Sequence, residues 1–126
     1  MTSIAEMTAS FDWGVLLVAD PESHEEIPAW ASADALVSQS ESALVVRVLH
    51  ADDGPVRVRL SSSVADESLL TYFEGSLAIK SGVLRISNAL GTQLVEASFR
   101  LGRYSVLVLA NDPREPDEVN IVLKEA

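Results

Sequence analysis

The sequence predicts an all-β fold: a two-layer, mostly antiparallel β-sandwich of about eight strands with little helix, as a single domain over residues 1–126. Three observations predict it. Short apolar and β-branched runs recur, clusters of Gly, Pro, Asp, Asn and Ser separate them, and few stretches have helical periodicity. A chain of 126 residues with a hydrophobic fraction of 48% can form one core. Sheets this apolar must cover one face, which favours two packed layers.

The first predicted strand, residues 13–19, is almost entirely apolar. We expect a central strand that is buried on both faces, or one whose outer face is covered by a loop. It ends at Asp20 and Pro21, a pair that initiates turns. A polar loop follows. Residues 31–39 are ambiguous: Ser32 could cap a short helical turn, or the segment could be irregular.

Two apolar runs, residues 43–50 and 55–60, flank an Asp-Gly pair. Asp-Gly in that position predicts a β-hairpin. Strand alternation then places Arg57 and Arg59 on the outer face, beside Arg47 of the partner strand. These three arginines form either an anion-binding face or the solvated face of an antiparallel sheet.

The remaining strands are predicted at residues 69–79, 83–87, 93–100, 104–110 and 118–124. Gly75 is expected to mark a bend or bulge. The last strand alternates as a half-exposed terminal strand would. The residues predicted to be largely core are Val15, Leu17, Leu44, Val46, Val48, Val56, Val58, Leu60, Leu84, Ile86, Val106, Val108, Ile121 and Leu123.

The net charge of −10 is unevenly distributed. Residues 1–46 contain eight acidic residues and no Lys or Arg, whereas residues 47–126 contain eleven acidic and nine basic ones. Such a chain should repel nucleic acid and anionic membranes, so we expect neither as a direct partner. The acidic stretch is either a solvated loop or a surface for a basic protein, with its Trp either pinning the loop to the core or anchoring the partner. The predicted partner-binding residues are Asp20, Glu22, Glu25, Glu26, Trp30 and Asp34.

Patterns for catalysis, cofactors and metals are absent from the sequence. The chain has no Cys, no G-x-S-x-G motif, no glycine-rich phosphate loop and no EF-hand spacing. His24, in the acidic loop, and His50, at a strand end, match no metal-ligand spacing. We therefore expect no enzyme, no cofactor and no metal. The N-terminus lacks a secretory-signal pattern and no apolar run could span a bilayer, so a cytoplasmic location is expected.

Several short features occur in a characteristic order: an apolar strand ending in Asp20, a polar loop with Trp30, the alternating Val56, Val58 and Leu60, a turn and strand at residues 81–84, Gly102 with Tyr104, and Asp117-Glu118 before the last strand. This order resembles the competence protein J-like family of small bacterial β-sandwich proteins, whose named member inhibits a DNA-entry nuclease. The resemblance implies a binding protein, an inhibitor or immunity factor, for a basic protein such as a nuclease. It carries over no binding residues.

Two alternatives to this acidic binding protein remain open. One is a structural or assembly subunit, a homo-oligomer that self-associates through sheet edges such as residues 118–124. The other is a small-ligand-binding sandwich, using either its interior or the face with Arg47, Arg57 and Arg59.

Overall fold

The computed structural model describes residues 3–22, 35–64 and 68–125. These ranges contain ten strands and two short 3-10 turns. The strands are β1 (Ser3–Ala9), β2 (Val15–Ala19), β3 (Val37–Gln39), β4 (Ala43–Arg47), β5 (Val56–Ser61), β6 (Leu70–Ile79), β7 (Val83–Asn88), β8 (Leu94–Ser98), β9 (Gly102–Ala110) and β10 (Glu118–Glu125). The first 3-10 turn is Asp12–Gly14 and the second is Ala51–Asp53.

The strands form two five-stranded sheets. Sheet I has the order β1-β5-β10-β9-β6, and sheet II has the order β3-β4-β2-β7-β8. Neighbouring strands are antiparallel except β5 and β10, which are parallel. The architecture confirms the predicted mostly antiparallel β-sandwich.

The core lies between the two sheets, and alternation places its side chains there. In β5, Val56, Val58 and Leu60 are buried while Arg57 is exposed on the outer face. Of the fourteen predicted core residues, twelve are buried. Burial of apolar side chains at roughly 25 cal/mol per Å² is the main force that holds the two layers together.

The two core predictions that fail are both in β2. Leu16 and Val18 are fully buried, whereas Val15 and Leu17 are only half-buried on the outer face. The sequence predicts the opposite alternation, with Val15 and Leu17 facing the core. Because every residue of β2 is apolar, hydropathy could not decide which alternate set faces the core.

The predicted hairpin is wrong. β4 belongs to sheet II and β5 to sheet I, so the chain crosses between the sheets instead of folding back within one. The second 3-10 turn makes this crossing, and Gly54 follows it with φ 140° and ψ 177°, an extended positive-φ conformation that differs from the one a two-residue hairpin turn requires. The backbone N–H of Ala51 donates to the carbonyl of Phe11, which holds the connection against the first 3-10 turn.

Three other elements differ from expectation. β1 was not predicted, and it pairs with β5 at one edge of sheet I. The ambiguous segment contains the short strand β3, which pairs with β4. The irregularity in β6 lies between Thr71 and Phe73, not at Gly75. Glycine at position 75 allows close packing instead, because a Cβ there would lie 2.5 Å from the side-chain oxygen of Gln39.

The last strand is central and not half-exposed. β10 pairs with β5 on one side and with β9 on the other. Val119 to Leu123 are all buried. Both edges of β10 are therefore used within the chain, so residues 118–124 are not the free sheet edge that the assembly alternative gave as its example.

The direction of β2 separates two ends of the sandwich. Val15 pairs with Arg47 at the start of β2, and Ala19 pairs with Ala43 at its finish. Trp13 and Asp20, which flank this strand, thus lie at opposite ends, about 20 Å apart at ~3.3 Å per residue. We call these the Trp13 end (residues 11–14, 48–54 and 111–117) and the Asp20 end (residues 20–22, 40–42 and 80–82).

Candidate partner-binding surface

Asp20 belongs to the predicted partner-binding set, and its side chain is only 2% exposed. Its Oδ2 accepts hydrogen bonds from the backbone N–H groups of Lys80 and Ser81, both at 2.7 Å. Its Oδ1 accepts from the Ser81 hydroxyl at 2.6 Å and from the Glu22 N–H at 3.0 Å. The Asp20 N–H donates to the Ser42 carbonyl at 3.2 Å. Asp20 therefore ties the end of β2 to the β6–β7 and β3–β4 turns.

The protonation of Asp20 follows from these contacts. Burial on its own raises the pKa of Asp20, but the hydrogen bonds from Ser81, Glu22 and Lys80 favour the ionised carboxylate and lower its pKa below the ordinary value. A buried carboxylate with four donors is already satisfied within the fold. Asp20 is thus unsuited to the direct partner contact predicted for it, and it positions its neighbours instead.

Glu22 is the other described member of the predicted set, and it is exposed. The other members, Glu25, Glu26, Trp30 and Asp34, lie outside the described residues. The candidate ligand His24 also lies outside them. Partner contact by Glu22 and these residues stays a prediction.

Two further N-terminal acids are paired with bases from later in the chain. Glu6 accepts a hydrogen bond from Arg57 Nε at 2.8 Å and lies 3.5 Å from Arg59 Nε. The hydrogen bond from Arg57 is the main reason why the pKa of Glu6 is lowered. Glu41 lies 3.3 Å from Lys80 Nζ and 3.6 Å from an arginine of β9. Charge counted along the sequence therefore overstates the negative potential around these two acids.

The three arginines proposed as an anion-binding face do not share a face. Arg47 is on β4 of sheet II, where its Nε donates to the Ala35 carbonyl at 3.0 Å. Arg57 and Arg59 are on β5 of sheet I, beside Glu6. The shared face depended on the hairpin between β4 and β5, and it disappears with it.

The Trp13 end contains the feature that sequence reasoning missed. Trp13 is 65% exposed and has φ 59° and ψ 13°. It is the one non-glycine residue with positive φ among those that the structure describes. A signal is present in the sequence: Trp13 lies between Asp12 and Gly14, both of which favour turns, and this pattern indicates a turn before the strand.

His50 lies next to this turn and has a local role. Its Nδ1 accepts a hydrogen bond from the Asp52 N–H at 3.0 Å, which caps the second 3-10 turn. Within residues 3–22, 35–64 and 68–125, no group of three His, Asp or Glu side chains is arranged to hold a metal ion. In the same ranges, no helix has the length and apolar character needed to cross a membrane.

A shallow groove of about 350 Å³ runs along the outer face of sheet I. Its apolar wall includes Val64, Leu107 and Val122, and Glu74 and Lys124 contribute the charged groups. The groove shares the outer face of sheet I with Arg57 and Arg59, but neither arginine lines it, and it is not the sandwich interior that the small-ligand alternative also named.

The fold can be compared with known proteins. A scan of protein families and a search of curated proteins find no match. Among solved structures, the chain is similar to the crystal structure of ComJ, inhibitor of the DNA degrading activity of NucA, from Bacillus subtilis. The TM-score is 0.72 and the identity 12%, over 99% of this chain and 98% of that one. The chain has a ComJ-like fold.

The resemblance to the competence protein J-like family is thereby confirmed at the level of the fold. A second similar structure, described as crocagin biosynthetic gene J, has a TM-score of 0.57 and 17% identity, and 99% of each chain is covered. Since both structures match over nearly their whole length, the ComJ-like fold accounts for both sheets and not only for one motif.

Proposed function

We propose that this chain is a non-enzymatic, cytoplasmic binding protein that inhibits a basic partner, with a nuclease as the first candidate. The observation that carries the proposal is the full-length structural similarity to ComJ, an inhibitor of the DNA degrading activity of NucA. The net charge of −10 supports it, because nuclease active sites are basic in order to hold phosphate and so attract an acidic protein.

The first surface we assign to the partner is the acidic segment after β2. Glu22, Glu25, Glu26 and Asp34 provide steering charge in this proposal, and Trp30 provides an apolar anchor. Asp20 positions Glu22, the first residue of this set, because its carboxylate binds both the Glu22 N–H and the β6–β7 turn.

The test is inhibition of DNA degradation. The purified chain is added at increasing ratios to NucA and to the non-specific nucleases of its own source organism, and loss of DNA cleavage is measured. Stoichiometric inhibition of any of these supports the proposal. Unchanged cleavage by all of them at a large excess of the chain refutes it.

The rate of association with the partner tests whether the acidic segment steers binding. Glu25→Gln with Glu26→Gln should lower the association rate several-fold at low salt and less at high salt, since exposed charges are screened beyond ~8 Å at physiological ionic strength. The matched control is Glu74→Gln with Glu96→Gln, which removes the same net charge from two exposed positions on β6 and β8. Equal effects of both pairs would show that total charge matters and that this segment does not.

A further inference from the structure

The Trp13 end combines two uncommon features, a largely exposed Trp and a positive φ at that residue. A Trp that is 65% exposed loses the burial that usually justifies so large an apolar side chain. The left-handed backbone at φ 59° adds strain, which is uncommon for a bulky residue. Folding alone therefore gives no reason for Trp at this position, where Gly or Asn would suit the backbone better.

The surrounding backbone holds Trp13 in place. The N–H groups of Gly14 and Ala51 both donate to the Phe11 carbonyl at 3.0 Å, and Phe11 is fully buried. The Val48 N–H donates to the Gly14 carbonyl at 2.9 Å. The indole is thus presented to solvent from a turn anchored to the core, so little conformational freedom would be lost when it binds.

The loops around Trp13 are acidic. Residues 11–14, 48–54 and 111–117 carry six acidic side chains and one arginine, a net charge of −5 with His neutral. The second 3-10 turn packs against the first, and it exposes Asp52 and Asp53. The loop at 111–117 joins them through a hydrogen bond from the Leu49 N–H to the Pro116 carbonyl at 3.0 Å.

We propose that the Trp13 end is a second docking surface, and that its occupant is a Lys- or Arg-rich loop of the basic partner. A guanidinium group stacks on the indole of Trp13, or an ammonium group packs against its face, and the carboxylates of Asp12, Asp52 and Asp53 in the same two 3-10 turns attract it. Charge complementarity selects this occupant over a second copy of the chain, because two ends of net charge −5 repel each other. The inference rests on the proposed function, which supplies a basic partner, and it adds a contact about 20 Å from Asp20 at the other end of β2.

The experiment uses titration calorimetry to measure the Kd between the chain and a nuclease that the wild-type chain inhibits. Trp13→Ala should weaken binding about 30-fold or more, as expected for a Trp hot spot. Leu101→Ala is the matched control, because Leu101 is 62% exposed and lies in the β8–β9 connection, away from the Trp13 end. Its Kd should stay within about twofold of the wild-type value.

Trp13→Gly separates a binding role from a structural one. Glycine accepts the positive φ, so the melting temperature should stay level or rise by a few degrees while binding is still lost. A residue whose role is to stabilise the fold would give a lower melting temperature. If Trp13→Ala lowers the melting temperature, the Gly variant decides: weakened binding with an unchanged fold supports the proposal, and wild-type binding overturns it.

The possible failures are distinguishable. Wild-type inhibition that both Trp13 variants retain overturns this inference and leaves the proposed function intact. A wild-type chain that inhibits none of the nucleases overturns both. A wild-type dimer in sedimentation equilibrium that Trp13→Ala converts to monomer overturns the basic occupant, because it identifies a second copy at this end.

Discussion

Replacing Asp20 should weaken the fold more than any other single-charge change at the Asp20 end. Its carboxylate accepts four hydrogen bonds, two of them from the backbone N–H groups of Lys80 and Ser81 in the β6–β7 turn. Hydrogen bonds to charged groups contribute about 1.5–3 kcal/mol each but do not add fully, and water can reach part of a turn. We expect Asp20→Ala to lower the free energy of unfolding by about 3 kcal/mol.

Asp20→Asn should cost less, about 1.5 kcal/mol, for a geometric reason. The amide oxygen can still accept from the Lys80 and Ser81 N–H groups. The amide NH₂ then faces the Glu22 N–H, so one donor meets another and that hydrogen bond is lost. Urea unfolding of the two variants measures both free energies. Glu22→Gln, which changes an exposed carboxylate two residues away, is the control and should leave the unfolding midpoint almost unchanged.

The contribution of Asp20 should also depend on pH. Because its pKa is lowered in the folded state, the ionised carboxylate stabilises the fold above the unfolded-state pKa of about 3.9. That stabilisation is lost as the pH falls through the lower folded-state pKa. The difference in stability between wild type and Asp20→Asn should therefore be constant from about pH 5 to 8 and shrink below about pH 4. Ala and Asn variants as stable as the Glu22→Gln control would refute this account of Asp20.

The remaining predictions concern backbone strain and the phase of β2. Gly14→Ala should cost about 3 kcal/mol, because φ is 66° and the new Cβ would lie 2.6 Å from the Val48 carbonyl oxygen. Gly91→Ala, with φ 71° and nothing within 4 Å, should cost only about 1 kcal/mol, and equal values would show that the contact with Val48 is relieved. Leu16→Ala should cost about 3 kcal/mol and Leu17→Ala about 1 kcal/mol in denaturant unfolding; the reverse order would contradict the observed phase.

The fold class could be predicted from the sequence because it depends on patterns that persist along the chain. Alternation in β5 determines which side chains are buried, whatever the strand pairs with. The pairing itself was not predictable to the same extent. The Asp-Gly pair at residues 53–54 is typical of a hairpin, yet tertiary contacts of the neighbouring 3-10 turn direct the chain into the other sheet.

Only the acidic character of the candidate surface could be predicted, because contacts between residues far apart in the sequence decide which charges are exposed. Charge summed over residues 1–46 identifies an acidic region but does not show that Glu6 is paired with Arg57 or that Asp20 is buried. Those contacts join residues 51 and 61 positions apart. Trp13 was missed because an aromatic residue beside an apolar run is usually part of the strand. Its flanking Asp12 and Gly14 indicate a turn, but the exposure of its side chain follows only from the backbone conformation.

An identity of 12% with ComJ is physically compatible with the same fold. A sandwich core needs apolar side chains of suitable volume at alternating positions, and many sequences satisfy that requirement. The connections at the two ends are less constrained by packing, so binding residues can change there without loss of the sheets. In this chain the two ends differ. The Asp20 carboxylate is buried and its hydrogen bonds are made within the fold, whereas the Trp13 end exposes its aromatic side chain and several carboxylates. Partner specificity should therefore respond to changes at the Trp13 end, and stability to changes at Asp20.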